Sequence, residues 1–304
     1  MGKTVFMFPG QGAQYIGMGK DFYEIFPCAK EVYDLAFEVT GIQVDKLCFE
    51  ENELLNETRY TQIAMLTTEA AILQVLKEVG KNADVSAGLS LGEYGALLSS
   101  GVISYEDAFK VVKNRGIFMQ EAYPQGGAMS AVLGLDYEKI ESVCKSIDGI
   151  VSIANYTCPG QIVITGECSA VMKASEALKE AGAKRIVPLK VSGPFHSLLL
   201  KEAGNQLADT LKDVEILDFK IPYVANVNAD YVTKKEEVKD LLIKQVSSSV
   251  RWQQTIEKLI ADGYDTFVEI GPGKTLSGFM KKINRDVSVY SIATVEEFNY
   301  YVNQ

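Results

Sequence analysis

The strongest chemical signal in the sequence is a Gly-x-Ser-x-Gly motif, Gly88-Leu89-Ser90-Leu91-Gly92. It lies where a predicted strand, Val85–Leu89, meets a helical pattern, which is the setting of a nucleophile elbow. In such a turn the serine hydroxyl is exposed at a helix N-terminus, and the N–H of the next residue points towards a developing oxyanion. Ser90 is therefore a candidate nucleophile and Leu91 a candidate oxyanion donor. The five residues alone fit equally well a glycine-rich turn in which Ser90 caps the helix.

A serine nucleophile needs a base, and the chain contains a single histidine. His196 lies in the turn Gly193-Pro194-Phe195-His196-Ser197. A lone histidine is more often structural, but its place in a Gly-Pro turn between predicted domains favours a catalytic role. No neighbouring acid marks the third member of a triad, so the group that orients the imidazole stays open.

A second oxyanion donor is expected from another strand-to-helix loop at the same edge of the sheet. The first such loop is Phe8–Gln14, and Gln11 is its candidate donor. This loop is not a dinucleotide-binding fingerprint, because Tyr15 stands where a third glycine is required. The loop 271–275 is not a Walker motif either, because Val268 stands where its first glycine is required.

The predicted helix 105–122 carries an arginine in the middle of its apolar face. That face is formed by Ala108, Val111, Val112, Phe118, Met119 and Ala122. Arg115 lies among these residues, and a guanidinium is costly to bury without an anion because it cannot be neutralised. Arg115 is therefore either half of a buried salt bridge or a bidentate clamp on a substrate carboxylate.

Strands and helices alternate over residues 4–122, which is typical of a parallel sheet covered by helices. Residues 129–190 then follow the order βαββαβ of a ferredoxin-like unit, and the α/β pattern resumes after Pro194. We predict an α/β core, residues 1–124 and 194–304, that carries the nucleophile elbow. A ferredoxin-like α+β insert, residues 125–193, interrupts it.

Composition excludes several classes of function. The 304 residues include 30 Lys and Arg against 40 Asp and Glu, a net charge of −10 with no basic footprint for nucleic acid or an anionic membrane. No apolar run approaches the ~20 residues of a membrane span, and we expect no secretion signal, because the strand-like Val5–Phe8 follows the first residues without an apolar signal core. Five cysteines without a Cys-x-x-Cys pair predict reduced thiols in a cytoplasmic protein. One histidine and no paired cysteines argue against a metal centre.

Five segments taken together resemble the malonyl-CoA:acyl-carrier-protein transacylases, the acyltransferases of fatty-acid and polyketide synthesis. They are Phe8–Gln14, Gly88–Tyr94, Arg115 with Met119–Ala122, Gly193–Ser197 and Glu269–Gly273. The resemblance runs from residue 4 to about residue 290 and keeps the family's order and spacing. It implies a hydrolase-like α/β core with a ferredoxin-like insert, in agreement with the fold predicted from the residues.

The resemblance also implies a role for each candidate residue. Ser90 would carry the acyl group, His196 would be the base, and Arg115 would hold the malonyl carboxylate. The amides of Gln11 and Leu91 would stabilise the oxyanion. Malonyl-CoA would be the donor and acyl carrier protein the acceptor, with coenzyme A thioester as substrate and no permanently bound cofactor.

This sequence departs from the family pattern at two positions. The residue before the nucleophile is commonly histidine in the family and is Leu89 here. A backbone carbonyl near the segment resembling Val250-Arg251-Trp252 orients the catalytic histidine in the family, and Arg251 stands where glutamine is common. We predict that the Arg251 backbone orients His196. Phe195, just before the histidine, resembles the malonyl-preferring variant of related polyketide acyltransferases.

Three alternative functions stay open at this stage. A trans-acting polyketide acyltransferase would share every motif, and a thioester hydrolase would use the same Ser90–His196 pair with water as acceptor. A non-catalytic module that docks carrier protein is a third class, which the complete set of catalytic residues disfavours.

The partner requires a local basic surface, because carrier proteins of this type are acidic and so is this chain. We predict docking on Lys281, Lys282 and Arg285, with Lys190 and Lys201 as further members. A solvated helix face without a partner explains the same residues equally well.

Overall fold

A computed structural model describes residues 2–191 and 193–304; the predicted domain ranges also include Met1 and Ser192, which lie outside the described residues. The strands are β1 (Lys3–Phe8), β2 (Val85–Gly88), β3 (Gly127–Leu133), β4 (Val151–Cys158), β5 (Gln161–Glu167), β6 (Arg185–Pro188), β7 (Tyr223–Val224), β8 (Tyr231–Val232), β9 (Tyr264–Ile270) and β10 (Ser288–Ile292). The helices are α1 (Lys20–Ile25), α2 (Pro27–Thr40), α3 (Val44–Phe49), α4 (Thr58–Glu78), α5 (Gly92–Ser100), α6 (Tyr105–Glu121), α7 (Tyr137–Ser146), α8 (Cys168–Glu180), α9 (Lys201–Lys212), α10 (Lys235–Gln245), α11 (Trp252–Ala261), α12 (Thr275–Ile283) and α13 (Val295–Val302). Short 3₁₀ turns occupy Leu54–Asn56 and Leu198–Leu200.

The larger sheet is mostly parallel, with the strand order β10-β9-β1-β2-β7-β8. Only β8 runs antiparallel to its neighbour within the described residues. Both faces of β1 are covered: Phe6 and Phe8 pack into one apolar core, and Val5 and Met7 into another. Burial on both faces explains why this strand is continuously apolar. Because parallel strands end at the same edge, the loops after β1, β2 and β9 open on one side of the sheet.

The smaller sheet is antiparallel, with the strand order β4-β5-β3-β6. Its helices α7 and α8 follow β3 and β5 and bury their apolar sides, including Ile140 and Leu178, in a separate core. All six elements lie inside the range 125–193. The predicted fold class, a parallel-sheet α/β core with a separate α+β unit, is confirmed; the residue boundaries of the two units stay a proposal.

The insert is joined to the core by a short strand-like contact. Val250 forms a parallel bridge with Asn155. The Tyr156 amide donates to the Val250 carbonyl at 2.9 Å, and the Val250 amide donates to the Ala154 carbonyl at 2.8 Å. Ser249 Oγ donates to the Ile153 carbonyl at 2.6 Å. The core segment between α10 and α11 is therefore held by the edge strand of the insert.

Two helix starts are set by local backbone features. Pro27 separates α1 from α2 and occupies the first turn of α2. Helix α9 begins at Lys201, directly after the 3₁₀ turn Leu198–Leu200. Among the helices of the described residues, none is long and apolar enough to cross a bilayer.

Candidate active site

Ser90 lies in a strained turn between β2 and α5. Its φ of 56° is in the left-handed region that a residue with a side chain rarely adopts. The flanking glycines are required by space: a Cβ on Gly88 would collide with the Gly92 carbonyl, and one on Gly92 with the Phe8 carbonyl. The nucleophile elbow predicted from the motif therefore has a steric basis.

Asn226 holds the strained turn from the neighbouring loop after β7. Its Oδ1 accepts a hydrogen bond from the Ser90 amide at 2.6 Å, and its Nδ2 donates to the Gly88 carbonyl at 2.6 Å. One side chain thus satisfies a donor and an acceptor that the turn removes from the sheet. The sequence analysis did not identify Asn226, because its contact with Ser90 joins residues far apart in the chain.

Ser90 and His196 are in hydrogen-bond contact. The distance from Ser90 Oγ to His196 Nε2 is 2.7 Å. His196 Nδ1 lies 3.0 Å from the Gln245 carbonyl and 3.1 Å from the Ser248 carbonyl. Because carbonyl oxygens only accept, Nδ1 carries the proton and Nε2 presents its lone pair to the serine hydroxyl. His196 is therefore oriented as a base without a triad carboxylate.

The prediction that the Arg251 backbone orients His196 is wrong. The acceptors are the carbonyls of Gln245 and Ser248, which lie upstream of Arg251 in the chain. The Arg251 carbonyl accepts from the Thr255 amide at 2.9 Å at the start of α11, and the Arg251 amide donates to the Asn226 carbonyl at 3.0 Å. The helix start therefore uses the carbonyl that the prediction assigned to the imidazole.

The pKa of His196 is lowered to about 4. Burial is the largest cause and the positive charge of Arg115 adds to it, while the hydrogen bonds to the Gln245 and Ser248 carbonyls act in the opposite direction. The imidazole is therefore neutral, the form that can accept a proton, throughout the neutral range. We expect kcat/KM for any reaction that uses Ser90 and His196 to stay level below pH 6.5, the ordinary histidine value, and to fall only as the pH drops through about 4. Initial rates from pH 3.5 to 8, with circular dichroism at each pH to exclude unfolding, would check this. Loss of activity centred near 6.5 in folded protein would contradict it.

The two predicted oxyanion donors line one small cavity with the nucleophile. This cavity has a volume of about 110 Å³ and is bordered by Gln11, Leu91, Ser90, His196 and Arg115, among others. The amides of Gln11 and Leu91 donate to no acceptor among the described residues. The Gln11 side chain donates to Thr58 Oγ1 at 3.0 Å, which fixes the loop after β1 against α4.

Arg115 projects from α6 into the same cavity and is 1% exposed. Its Nη1 donates to Gln62 Oε1 at 2.6 Å, and its Nη2 donates to Gln245 Oε1 at 2.9 Å. Nη2 also lies 3.3 Å from Ser90 Oγ. These two acceptors are uncharged amide oxygens. They hold the guanidinium beside the nucleophile without pairing its positive charge with an anion. An acyl carboxylate on Ser90 would meet this charge.

Gln245 contacts Ser90, His196 and Arg115, and the sequence analysis missed it. Its carbonyl faces His196, its Oε1 faces Arg115, and its Nε2 donates to the Ser90 carbonyl at 2.8 Å. A signal was present in the sequence: Gln245 follows Val238 and Leu242 on the buried stripe of α10. A glutamine on an apolar stripe needs polar partners, as an arginine does.

A second cavity adjoins the first and lies between the core and the insert. It has a volume of about 210 Å³ and shares Gln11, Leu89, Asn155 and Leu189 with the first cavity. Buried Asn155 Oδ1 and Thr157 Oγ1 have no hydrogen-bond partner among the described residues. Both residues line this cavity, which therefore offers polar partners to an extended ligand. Leu89 contributes an apolar side chain to both cavities.

The predicted docking residues lie on and beside α12. Lys281, Lys282 and Arg285 are exposed, and Lys282 Nζ donates to Gln161 Oε1 of the insert at 2.9 Å. Lys190 and Lys201 are also exposed. Residues 2–191 and 193–304 contain no group of three or more His, Cys, Asp or Glu that could hold a metal ion.

Comparison with known proteins gives matches along almost the entire chain. A family model described as an acyl transferase domain matches residues 5–296. The malonyl CoA-acyl carrier protein transacylase of Bacillus subtilis (strain 168) is 48% identical over 301 residues, 97% of this chain and 95% of that protein. The solved structure of the malonyl CoA-acyl carrier protein transacylase from Clostridium perfringens has a TM-score of 0.96 and 44% identity, covering 99% of this chain and 96% of that one. The malonyl-transacylase solved with its type II polyketide acyl-carrier protein, PlMCAT:AntF, has a TM-score of 0.96 and 39% identity, covering 99% of this chain and 100% of that one.

Proposed function

The chain belongs to the acyl transferase domain family, and on this premise we propose that it transfers a malonyl group from malonyl-CoA to the pantetheine thiol of acyl carrier protein. The membership confirms the resemblance found in the sequence motifs. The observation that carries the proposal is the position of Ser90 Oγ, 2.7 Å from the His196 base and 3.3 Å from the Arg115 cation. That arrangement suits a serine that carries an acyl group ending in a carboxylate.

The reaction proceeds as two opposite acyl transfers. Ser90 Oγ attacks the thioester carbonyl carbon while its proton moves to His196 Nε2. The Leu91 and Gln11 amides stabilise the tetrahedral oxyanion, and one such donor is worth about 3–4 kcal/mol. The carbon–sulfur bond then breaks, His196 returns the proton to the departing coenzyme A sulfur, and malonyl-Ser90 remains. The pantetheine thiol of the carrier attacks this ester by the reverse sequence.

The second cavity is the proposed site for the pantetheine arm. Coenzyme A and holo carrier protein share this arm, which contains two amides on an extended chain. Asn155 Oδ1 and Thr157 Oγ1 are buried without a partner and line the cavity next to the nucleophile. Because buried polar atoms are normally hydrogen-bonded, they are suitable partners for the pantetheine amides. The pantetheine arm of the coenzyme A thioester substrate would therefore lie in this cavity.

Carrier protein is proposed to dock on Lys281, Lys282 and Arg285. Two observations support this surface: α12 lines the second cavity through Thr275, Leu276 and Phe279, and Lys282 bonds Gln161, which also lines it. A carrier bound there would hold its pantetheine close to the cavity. The three exposed cations form no salt bridge within the described residues and can pair with an acidic partner.

The double variant Lys281→Glu with Lys282→Glu is expected to raise the KM for carrier protein roughly tenfold, because it reverses charges that steer an acidic partner. The KM for malonyl-CoA is expected to stay within about twofold. The matched control is Lys173→Glu with Lys179→Glu, the same charge change on the exposed side of α8. Steady-state kinetics at fixed ionic strength measures both constants. Equal changes in the two KM values, or the same change in the control, would count against this surface.

The hydrolase alternative is tested by measuring whether coenzyme A release requires a thiol acceptor. With malonyl-CoA and holo carrier protein, coenzyme A release should continue until the carrier is loaded. With apo carrier, release should stop at about one equivalent per enzyme, since malonyl-Ser90 then has no thiol acceptor. Sustained release without holo carrier would replace the transferase proposal with hydrolysis.

The physiological setting is proposed as fatty-acid synthesis in the cytoplasm. The pathway is supported by the relatives named malonyl CoA-acyl carrier protein transacylase, and the polyketide alternative is not favoured. The location is supported by the composition and by the five cysteines, which are free thiols.

A further inference from the structure

Glu93 lies at the root of the hydrogen-bond network that surrounds Ser90. It is fully buried in the first turn of α5. Its Oε2 accepts from Gln245 Nε2 at 2.7 Å and from the Asn226 amide at 3.2 Å. Both of these residues contact the nucleophile elbow directly. No step of the proposed reaction uses Glu93 itself.

Glu93, together with the Ser90 carbonyl, determines which way the Gln245 amide faces. Gln245 Nε2 donates to Glu93 Oε2 at 2.7 Å and to the Ser90 carbonyl at 2.8 Å, so the NH₂ group faces these two acceptors and the amide oxygen faces the opposite direction. That oxygen accepts from Arg115 Nη2 at 2.9 Å. A reversed amide would place two N–H groups against a guanidinium that has only donors.

This constraint does not depend on the charge of Glu93. Burial raises the pKa of Glu93 to about 7, while its hydrogen bonds and Arg115 act in the opposite direction. The other oxygen, Oε1, has no hydrogen-bond partner among the described residues. A proton on Oε1 would leave Oε2 an acceptor for the same two donors.

We propose that Glu93 is a positioning residue for acyl-group selection, which acts by fixing the Gln245 amide so that its oxygen holds the Arg115 guanidinium beside Ser90. The inference rests on the proposed function, in which Arg115 binds the malonyl carboxylate. Gln62 holds only Nη1. Loss of the Gln245 acceptor would therefore let the Nη2 side of the guanidinium move away from the nucleophile.

The test is Glu93→Met, which keeps a side chain of similar length and volume and removes the oxygen that accepts from Gln245. We expect kcat/KM for malonyl-CoA to fall about tenfold, the low end for a hydrogen bond to a charged group, and kcat/KM for acetyl-CoA to change less than about twofold. The readout is the ratio of kcat/KM for malonyl-CoA to kcat/KM for acetyl-CoA. A role in folding or in supporting Ser90 would lower both kcat/KM values together and leave their ratio unchanged. An unchanged ratio, or equal losses for the two substrates, would overturn the proposal.

A double-mutant cycle with Gln245→Met separates this route from any other. Gln245→Met removes the amide and keeps the backbone carbonyl that orients His196. Because Glu93 is proposed to act through that amide, the double variant should have the same substrate ratio as Gln245→Met alone. Additive losses would contradict the route. If Glu93→Met does not fold, retained discrimination in Gln245→Met overturns the proposal by itself.

The wild-type protein distinguishes this inference from the proposed function. If wild-type enzyme does not prefer malonyl-CoA to acetyl-CoA, the proposed function fails. If it does and the malonyl-to-acetyl ratio of Glu93→Met equals the wild-type ratio, only the role of Glu93 fails.

Discussion

Replacing Ser90 with alanine is expected to lower malonyl transfer by at least about 10⁴-fold, within the range that loss of a serine nucleophile produces in serine hydrolases. The change removes the atom that forms the acyl bond, and His196 then has no hydroxyl to deprotonate. The oxyanion donors and the Arg115 site remain, so malonyl-CoA should still bind. The effect should therefore appear in kcat far more than in KM.

The measurement is the rate of malonyl-carrier formation, followed by mass spectrometry of the carrier protein. Ser99→Ala is the matched control: Ser99 lies at the far end of α5 and contacts Ser86 Oγ at 2.7 Å, away from the cavity. It should retain normal turnover. If folded Ser90→Ala protein kept more than about 1% of wild-type turnover, another residue would have to carry the acyl group.

Replacing Arg115 with alanine is expected to reverse the preference for malonyl-CoA over acetyl-CoA. By the proposed mechanism, an acetyl group would leave the buried guanidinium of the wild-type protein without an anion, whereas a malonyl carboxylate would pair with it. Truncating one member of a buried, hydrogen-bonded charge pair costs about 2–5 kcal/mol, so malonyl transfer should fall roughly 30- to 4,000-fold. Acetyl transfer should not fall in parallel, because acetyl makes no use of the positive charge.

Competition between the two thioesters in one reaction measures the ratio directly. Arg115→Lys separates charge from shape: an ammonium keeps the charge but cannot form the two-pronged contact, so it should restore only part of the preference. Arg185→Ala, an exposed arginine on β6, is the control for loss of a positive charge. An unchanged malonyl-to-acetyl ratio in Arg115→Ala would remove Arg115 from acyl selection.

Much of this site could be predicted from sequence because its reactive groups lie in local patterns. The glycines around Ser90 are dictated by the turn itself, and a Cβ at either position would meet backbone. His196 was identifiable because the chain offers one imidazole. Arg115 was identifiable because it interrupts an apolar helix face. Each signal is contained within a few residues or one helix.

The groups that orient these side chains could not be predicted in the same way. The Gln245 and Ser248 carbonyls that face His196 carry no side-chain signature, and their position depends on how α10 ends against the insert. The incorrect assignment of Arg251 shows the consequence: the correct segment was selected, but the contacting carbonyls belong to residues upstream. Asn226 and Glu93 likewise act through contacts between distant parts of the chain.

The fold prediction succeeded for a related reason. The alternation of short apolar strands with helices reflects a sheet buried on both faces, and the βαββαβ order reflects a sheet covered on one face. Both patterns are periodic in sequence. The bridge between Asn155 and Val250, which links the two units, involves too few residues to leave a pattern.

The covalent intermediate provides the most direct test of the central claim that Ser90 carries the malonyl group. Protein mixed with malonyl-CoA in the absence of carrier, quenched in acid and digested, should contain one malonyl group on the peptide that includes Ser90. The adduct should disappear when holo carrier protein is added, with the same amount of malonyl group appearing on the carrier. Absence of the adduct, its location on another residue, or undiminished labelling of Ser90→Ala protein would contradict the proposed mechanism.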